Sequence, residues 1–331
     1  MVRWCVSVSL QLSLLVFVCE RMEADGIDHG WTLGDPVLAS GPLGTFSELG
    51  VKDPSIVYYE GMWHLFFTAR GRENSTTGYV SAKDLAELAR APRHELEMSK
   101  GKSRYGCAPQ VLYFRPHRKW YLIFQNLDAR YQPAYSTTTT ISDPKSWANP
   151  ISLIEKDTKA KWIDFWVICD RTRAYLFYTQ SQQVVMVRTT SLEDFPGGWG
   201  ESRIAFHGVT EATHVYKVVG QNEFHMVYER NRGKIRSYGL AKAADLGGPW
   251  EKVTDQFATG ESLRYVGDHK PWTEMVSHGE ALRTGYNELM EYDPSQCRWL
   301  IQGVLKTDLN REYSKLPWKL GIISRDDSRG K

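Results

Sequence analysis

Residues 53–68, DPSIVYYEGMWHLFFT, decide how the chain reads. An acidic residue opens a run of Ser, Ile, Val and Tyr, Glu60 and Gly61 turn the chain, and Met62–Thr68 returns rich in aromatics. That is the pattern of a β-hairpin. The unit recurs as Ala108–Phe114 then Lys119–Gln125, Ile163–Cys169 then Ala174–Thr179, Glu211–Val218 then Phe224–Glu229, and Glu288–Tyr292 then Arg298–Gly303. Corresponding aromatics at Trp63, Trp120, Tyr175, Phe224 and Trp299 stand 57, 55, 49 and 75 residues apart. Repeats of that size suit a propeller of four-stranded blades, and about 300 residues at about 60 per blade predict an all-β, five-bladed β-propeller. A β-sandwich would match the density of turns but would not yield five copies of one hairpin. The best helical periodicity is the short stretch Ala82–Arg90.

Composition narrows the function. The 331 residues carry 41 Lys and Arg against 39 Asp and Glu, a net charge of +2. Charges of both signs are scattered, which leaves no basic face for nucleic acid or an anionic membrane. A 42% hydrophobic content supports a packed core and excludes disorder as the main state. With 12 Trp and 17 Tyr the chain is rich in flat faces on which sugars stack. Arg3 followed by the apolar run Val6–Val18 reads as a signal peptide over residues 1–24, too short to span a membrane. Residues 25–331 then form a single secreted propeller domain, expected to act as a monomer, with no later membrane span. Cys107, Cys169 and Cys297 allow at most one disulfide. Asn74–Thr76 is a formal glycosylation sequon.

The acids that begin the hairpins suggest chemistry. Asp53 lies ten residues before Trp63, Asp164 eleven before Tyr175 and Glu211 thirteen before Phe224. In a propeller the starts of the inner strands converge on the axis, so three acids in register form one cluster. Hydrolysis of a glycosidic bond needs a carboxylate to activate water and a protonated carboxyl to release the leaving oxygen. Crowded like charges raise one pKa, which keeps such an acid protonated.

Six segments then resemble glycoside hydrolase family 62, whose members are α-L-arabinofuranosidases acting on arabinoxylan. They are KDPSIVYY (52–59), CAPQVLYFRPHRKWYLIFQ (107–125), WIDFWVICD (162–170), EATHVYKV (211–218), SHGEALRTGYN (277–287) and LPWKLGII (316–323). The resemblance runs in order from about Trp31 to Ser324. It implies an inverting mechanism with Asp53 as general base, Glu211 as general acid and Asp164 as the residue that orients sugar and tunes the acid. Lys52, Tyr286 and Asn287 match positions that hold the arabinose, and Gln125 is placed in the same pocket. His278 is similar to a family histidine near a structural calcium ion on the axis, with water supplying most ligands; no organic cofactor is implied. Glu280 and Arg283 are expected to pair close by. Two departures touch substrate contacts: Asn126 stands where the family usually has a Trp, and Thr210 where an aromatic is common. Asn126 is therefore expected to give a wider, wetter sugar pocket. A propeller that binds glycan without cleaving it would have lost one of the three acids, and none is lost. A glycoside phosphorylase would need a basic phosphate pocket, yet the acids have no basic neighbour beyond Lys52.

Overall fold

A computed structural model of the chain describes residues 30–99, 105–126, 132–154 and 161–325. The signal-peptide reading of residues 1–24 lies outside them. Five sheets, antiparallel except where a short strand is added to two of them, radiate from one axis. Their innermost strands are Gly50–Tyr59, Gly106–Phe114, Trp162–Cys169, Glu211–Val218 and Ser277–Ala281, in blades one to five. The β-propeller expected from the hairpin repeat is the observed fold. Ring closure is made by Trp31–Leu33, which pairs antiparallel with Lys319–Arg325 and parallel with Leu263–Tyr265 in blade five. Trp31 is buried there and donates its indole N–H to Phe257 O at 3.0 Å. Hydrophobic side chains such as Trp166, Tyr216, Tyr228, Tyr238 and Trp299 fill the space between blades.

Two sequence expectations are corrected. The fifth blade begins with Ser277–Ala281, which pairs with Arg298–Gly303, and not with Glu288–Tyr292. Residues 286–292 instead cross the blade ends: Tyr286 O accepts from Tyr113 N, Glu288 O from Cys169 N and Met290 O from Lys217 N. Glu291–Tyr292 adds parallel to the inner strand of blade four. Neighbourhood in sequence suggested a hairpin, but the unpaired ends of three inner strands offered this segment a fuller set of backbone partners. The Ala82–Arg90 stretch holds only a single 3-10 turn, Leu85–Glu87. It follows directly on the strand Ser75–Ala82 and is too short to repay helix nucleation.

Each inner strand carries a β-bulge at the same place. Two residues (53–54, 108–109, 164–165, 212–213 and 278–279) oppose one residue of the second strand. The first bulge residue is left-handed in four blades, with φ of 47° at Asp53, 50° at Ala108, 56° at Asp164 and 52° at Ala212. A non-glycine residue held there costs of order 1–3 kcal/mol, and bulges re-aim side chains, here at the axial end of the strand.

Deeper along the axis, side chains stitch each blade to the next. Ser55 Oγ accepts from Val111 N, Gln110 bonds both N and O of Val167, Trp166 donates to Val215 O, and Glu280 accepts from Ile56 N. Arg283 Nε lies 2.6 Å from Glu280 Oε1, and its Nη2 donates to Ile56 O and Val111 O. The pair expected from the sequence therefore plugs the axis. Cys107, Cys169 and Cys297 are buried free thiols, and no described helix is long and apolar enough to cross a membrane.

Candidate active site

The bulge register sorts the three acids. Asp53 and Asp164 occupy equivalent first-bulge positions, and the same position in blade five is His278. Glu211 stands one residue earlier, level with Lys52, because it pairs with Glu229 as Lys52 pairs with Thr68. The expectation of three acids in strict register is thus off by one residue at Glu211. A longer turn, with Lys217 opposite Phe224, concealed the offset. His278 nonetheless joins the set: its Nδ1 is 3.5 Å from Asp53 Oδ1 and 3.8 Å from Asp164 Oδ1. All three side chains are nearly inaccessible to solvent.

Backbone donors fix the bulges. Asp53 N donates to Gln302 Oε1 at 2.6 Å, Ala108 N to Thr68 Oγ1 at 2.8 Å, Ala212 N to Asp164 Oδ2 at 2.8 Å and His278 N to Glu229 Oε2 at 3.1 Å. In each case the acceptor belongs to the preceding blade. Asp53 also takes Lys52 Nζ at 2.8 Å. Burial pushes the Asp53 carboxyl up, but Lys52 and His278 outweigh it and hold Asp53 below the ordinary aspartate value. Asp53 is therefore ionised and in place to accept a proton. Burial raises Asp164 to about 6; His278 opposes the rise, while the charges of Glu211 and Asp53 add to it.

Glu211 behaves differently from the sequence expectation. Burial pushes it up, but the Arg236 guanidinium bonds it directly and brings it below the ordinary glutamate value. Arg236 Nη1 also reaches Glu229 Oε1 at 2.7 Å. Glu229 is fully buried, and burial together with the charge of Glu211 lifts it to about 8 against the pull of Arg236. The raised carboxyl beside Glu211 is thus a residue that sequence reasoning missed. Arg236 and Tyr313 were missed as well. The half-exposed Tyr313 ring lies between the two cations, 5.7 Å from Lys52 Nζ and 5.4 Å from the Arg236 guanidinium carbon. Glu229 left a signal, since Thr68, Gln125, Thr179, Glu229 and Gln302 all oppose the residue before a bulge and all are polar. Arg236 and Tyr313, on a third strand and a 3-10 turn, left none.

The remaining expected site residues divide. Lys52 and Gln125 lie at the acid end; Gln125 Nε2 is buried without a hydrogen-bond partner among the described residues. Asn126 is the next residue, opposite Gly106, so its side chain emerges on the other face of that sheet from Gln125. It is buried, which does not agree with a wide, wet pocket at that residue. Thr210 is tied back, its hydroxyl accepting from Asn231 N. Tyr286 and Asn287 are misplaced as arabinose ligands. They bridge to Tyr113, five residues beyond the bulge of blade two and so about 17 Å from the acids along the strand. Calcium takes six to eight oxygen ligands. The described residues gather no group of three His, Cys, Asp or Glu to hold an ion, and His278 faces Asp53 and Asp164 instead. Protein side chains alone do not complete a calcium shell at His278, where water is expected to supply most ligands.

Residues 31–324 match the sequence model of Glycosyl hydrolase family 62. Alpha-L-arabinofuranosidase C of Cellvibrio japonicus is 33% identical over 308 residues, covering 88% of this chain; the chain spans 46% of that relative's length. The catalytic domain of a Coprinopsis cinerea family 62 α-L-arabinofuranosidase superposes with a TM-score of 0.83 at 31% identity, covering 90% of this chain and 98% of that one. A family 62 hydrolase solved with xylotriose superposes with a TM-score of 0.81 at 28% identity, covering 89% and 97%.

Proposed function

The chain belongs to glycosyl hydrolase family 62, and from that premise we propose that it is an α-L-arabinofuranosidase that removes arabinofuranosyl side chains from arabinoxylan with inversion. The observation that carries the reading is the convergence of Asp53, Asp164 and Glu211 on one axial end, around His278 and Arg236. The xylotriose bound by a relative supports a xylan backbone as the polymer. In this reading Asp53, held ionised by Lys52, takes a proton from the water that attacks the anomeric carbon. Glu211 gives a proton to the departing glycosidic oxygen, and Asp164 shapes the field between them. Gln125 and Tyr313 contact sugar. One chain supplies every group named, so a monomer suffices. Secretion belongs to the same proposal and rests on the leader-like residues 1–24.

Arabinose release from wheat arabinoxylan, arabinan and debranched arabinan, measured side by side, tests the substrate. Release from arabinan alone would refute the arabinoxylan reading. Proton NMR at early times tests the stereochemistry, because inversion of an α-linkage delivers β-arabinose first. Initial α-arabinose would mean retention.

A further inference from the structure

Glu229 is a carboxyl to which the chemistry above assigns no task. At the equivalent place the other blades carry Thr68, Gln125, Thr179 and Gln302, all uncharged. Two of them, Thr68 and Gln302, perform the anchoring duty of Glu229, accepting a bulge N–H from the next blade. An amide or hydroxyl therefore suffices for structure. A fully buried carboxyl beside another is costly, and of the five positions that oppose the residue before a bulge, the one facing Glu211 alone carries it.

Its contacts suggest why. The carboxyls of Glu211 and Glu229 stand side by side at one guanidinium nitrogen, and crowding two like charges out of water favours a single proton held between them. Arg236 bonds both. Glu229 Oε2 is fixed by Ser277 Oγ at 2.5 Å, and Ser277 accepts in turn from Gln302 Nε2 at 3.0 Å. Gln302 also holds Asp53 N. The network thus runs from the base to the acid with Glu229 at its centre.

We propose that Glu229 is a positioning residue for proton donation: it shares one proton with Glu211 and keeps that proton on the pair, against Arg236, until the glycosidic oxygen takes it from Glu211. As the glycosidic C–O bond breaks, the O–H of Glu211 passes its proton to the leaving oxygen, and Arg236 faces two carboxylates. The pair regains a proton from solvent before the next turnover. Arg236, Glu229, His278 and Lys52 act on Glu211, and Asp164 and Tyr313 feel its charge in turn. The inference rests on Glu211 being the acid.

The test uses the full chain with Glu229→Gln and Arg236→Gln, each first shown to keep the parent's circular dichroism. Activity is compared on arabinoxylan and on a dinitrophenyl α-L-arabinofuranoside, whose leaving group departs without a proton. Glu229→Gln should lower kcat/KM on arabinoxylan by about 10²-fold and on the activated aryl substrate by less than about tenfold. A general acid must be protonated, so its titration sets the alkaline limb of the pH profile. That limb should move down by more than about one unit in Glu229→Gln and move up in Arg236→Gln. Equal losses on both substrates, or an alkaline limb that stays fixed in the variants, overturn the proposal. If Glu229→Gln does not fold, Glu229→Asp, whose shorter carboxyl draws back from Glu211, replaces it: a downward shift of the limb supports the proposal and a fixed limb overturns it. A parent chain inactive on both substrates refutes the arabinofuranosidase reading itself.

Discussion

Asp164→Asn should make the protein more stable near neutral pH while reducing its activity. Asp164 is 8% exposed and is raised from an ordinary 3.8 to about 6, so the folded state prefers its protonated form. Below pH 4 both folded and unfolded chains carry the proton and nothing is lost. Between pH 4 and 6 the unfolded chain ionises first, and stability falls by about 1.4 kcal/mol per pH unit. Above pH 6 both are ionised, and the accumulated penalty levels off on the order of 3 kcal/mol. An asparagine keeps an oxygen for Ala212 N and carries no charge to bury. At roughly 2 °C per kcal/mol for a chain of this size, the variant should melt about 5 °C above the parent at pH 7 and with it at pH 4. Thermal melts at unit pH steps from 4 to 8 measure this, beside arabinose release at each pH. If the gap between variant and parent does not widen from pH 4 to 6, burial does not raise Asp164 and the reasoning fails.

Asp53→Asn should lower turnover on arabinoxylan by about 10²- to 10⁴-fold or more, and near-normal turnover in the folded variant would remove Asp53 as the base. Glu211→Gln should lose a similar factor on arabinoxylan but much less on the dinitrophenyl substrate; equal losses would argue against proton donation. Tyr286→Ala should leave kcat and KM on arabinoxylan unchanged, because the ring packs against Tyr59 and Tyr113 away from the acid end. A raised KM would return Tyr286 to the sugar site. Trp31→Ala opens the ring closure and should cost about 3–5 kcal/mol in denaturant unfolding; a loss under about 1 kcal/mol would mean blade five closes without it.

The sequence determined the fold and half of the site because both are local properties. Hairpins such as 53–68 declare themselves through alternation and turn residues, and their recurrence fixes the number of blades. Asp53, Asp164 and Glu211 were legible because each begins an inner strand, where propeller geometry forces convergence. What the sequence could not supply was register and neighbours across blades. The bulges that aim Asp53 and Asp164 at His278 depend on which residue faces which, and a longer turn in blade four hid the one-residue offset of Glu211. The choice of Ser277–Ala281 over Glu288–Tyr292 for blade five turned on partners far apart in the chain. Arg236 and Tyr313 reach the acids from a third strand and a 3-10 turn, separated from Glu211 by 25 and 102 residues. A carboxyl's charge state depends on everything within a few ångströms of it. The protonation of Glu211 and Glu229 was therefore decided only when tertiary structure brought both to one guanidinium and took them out of water.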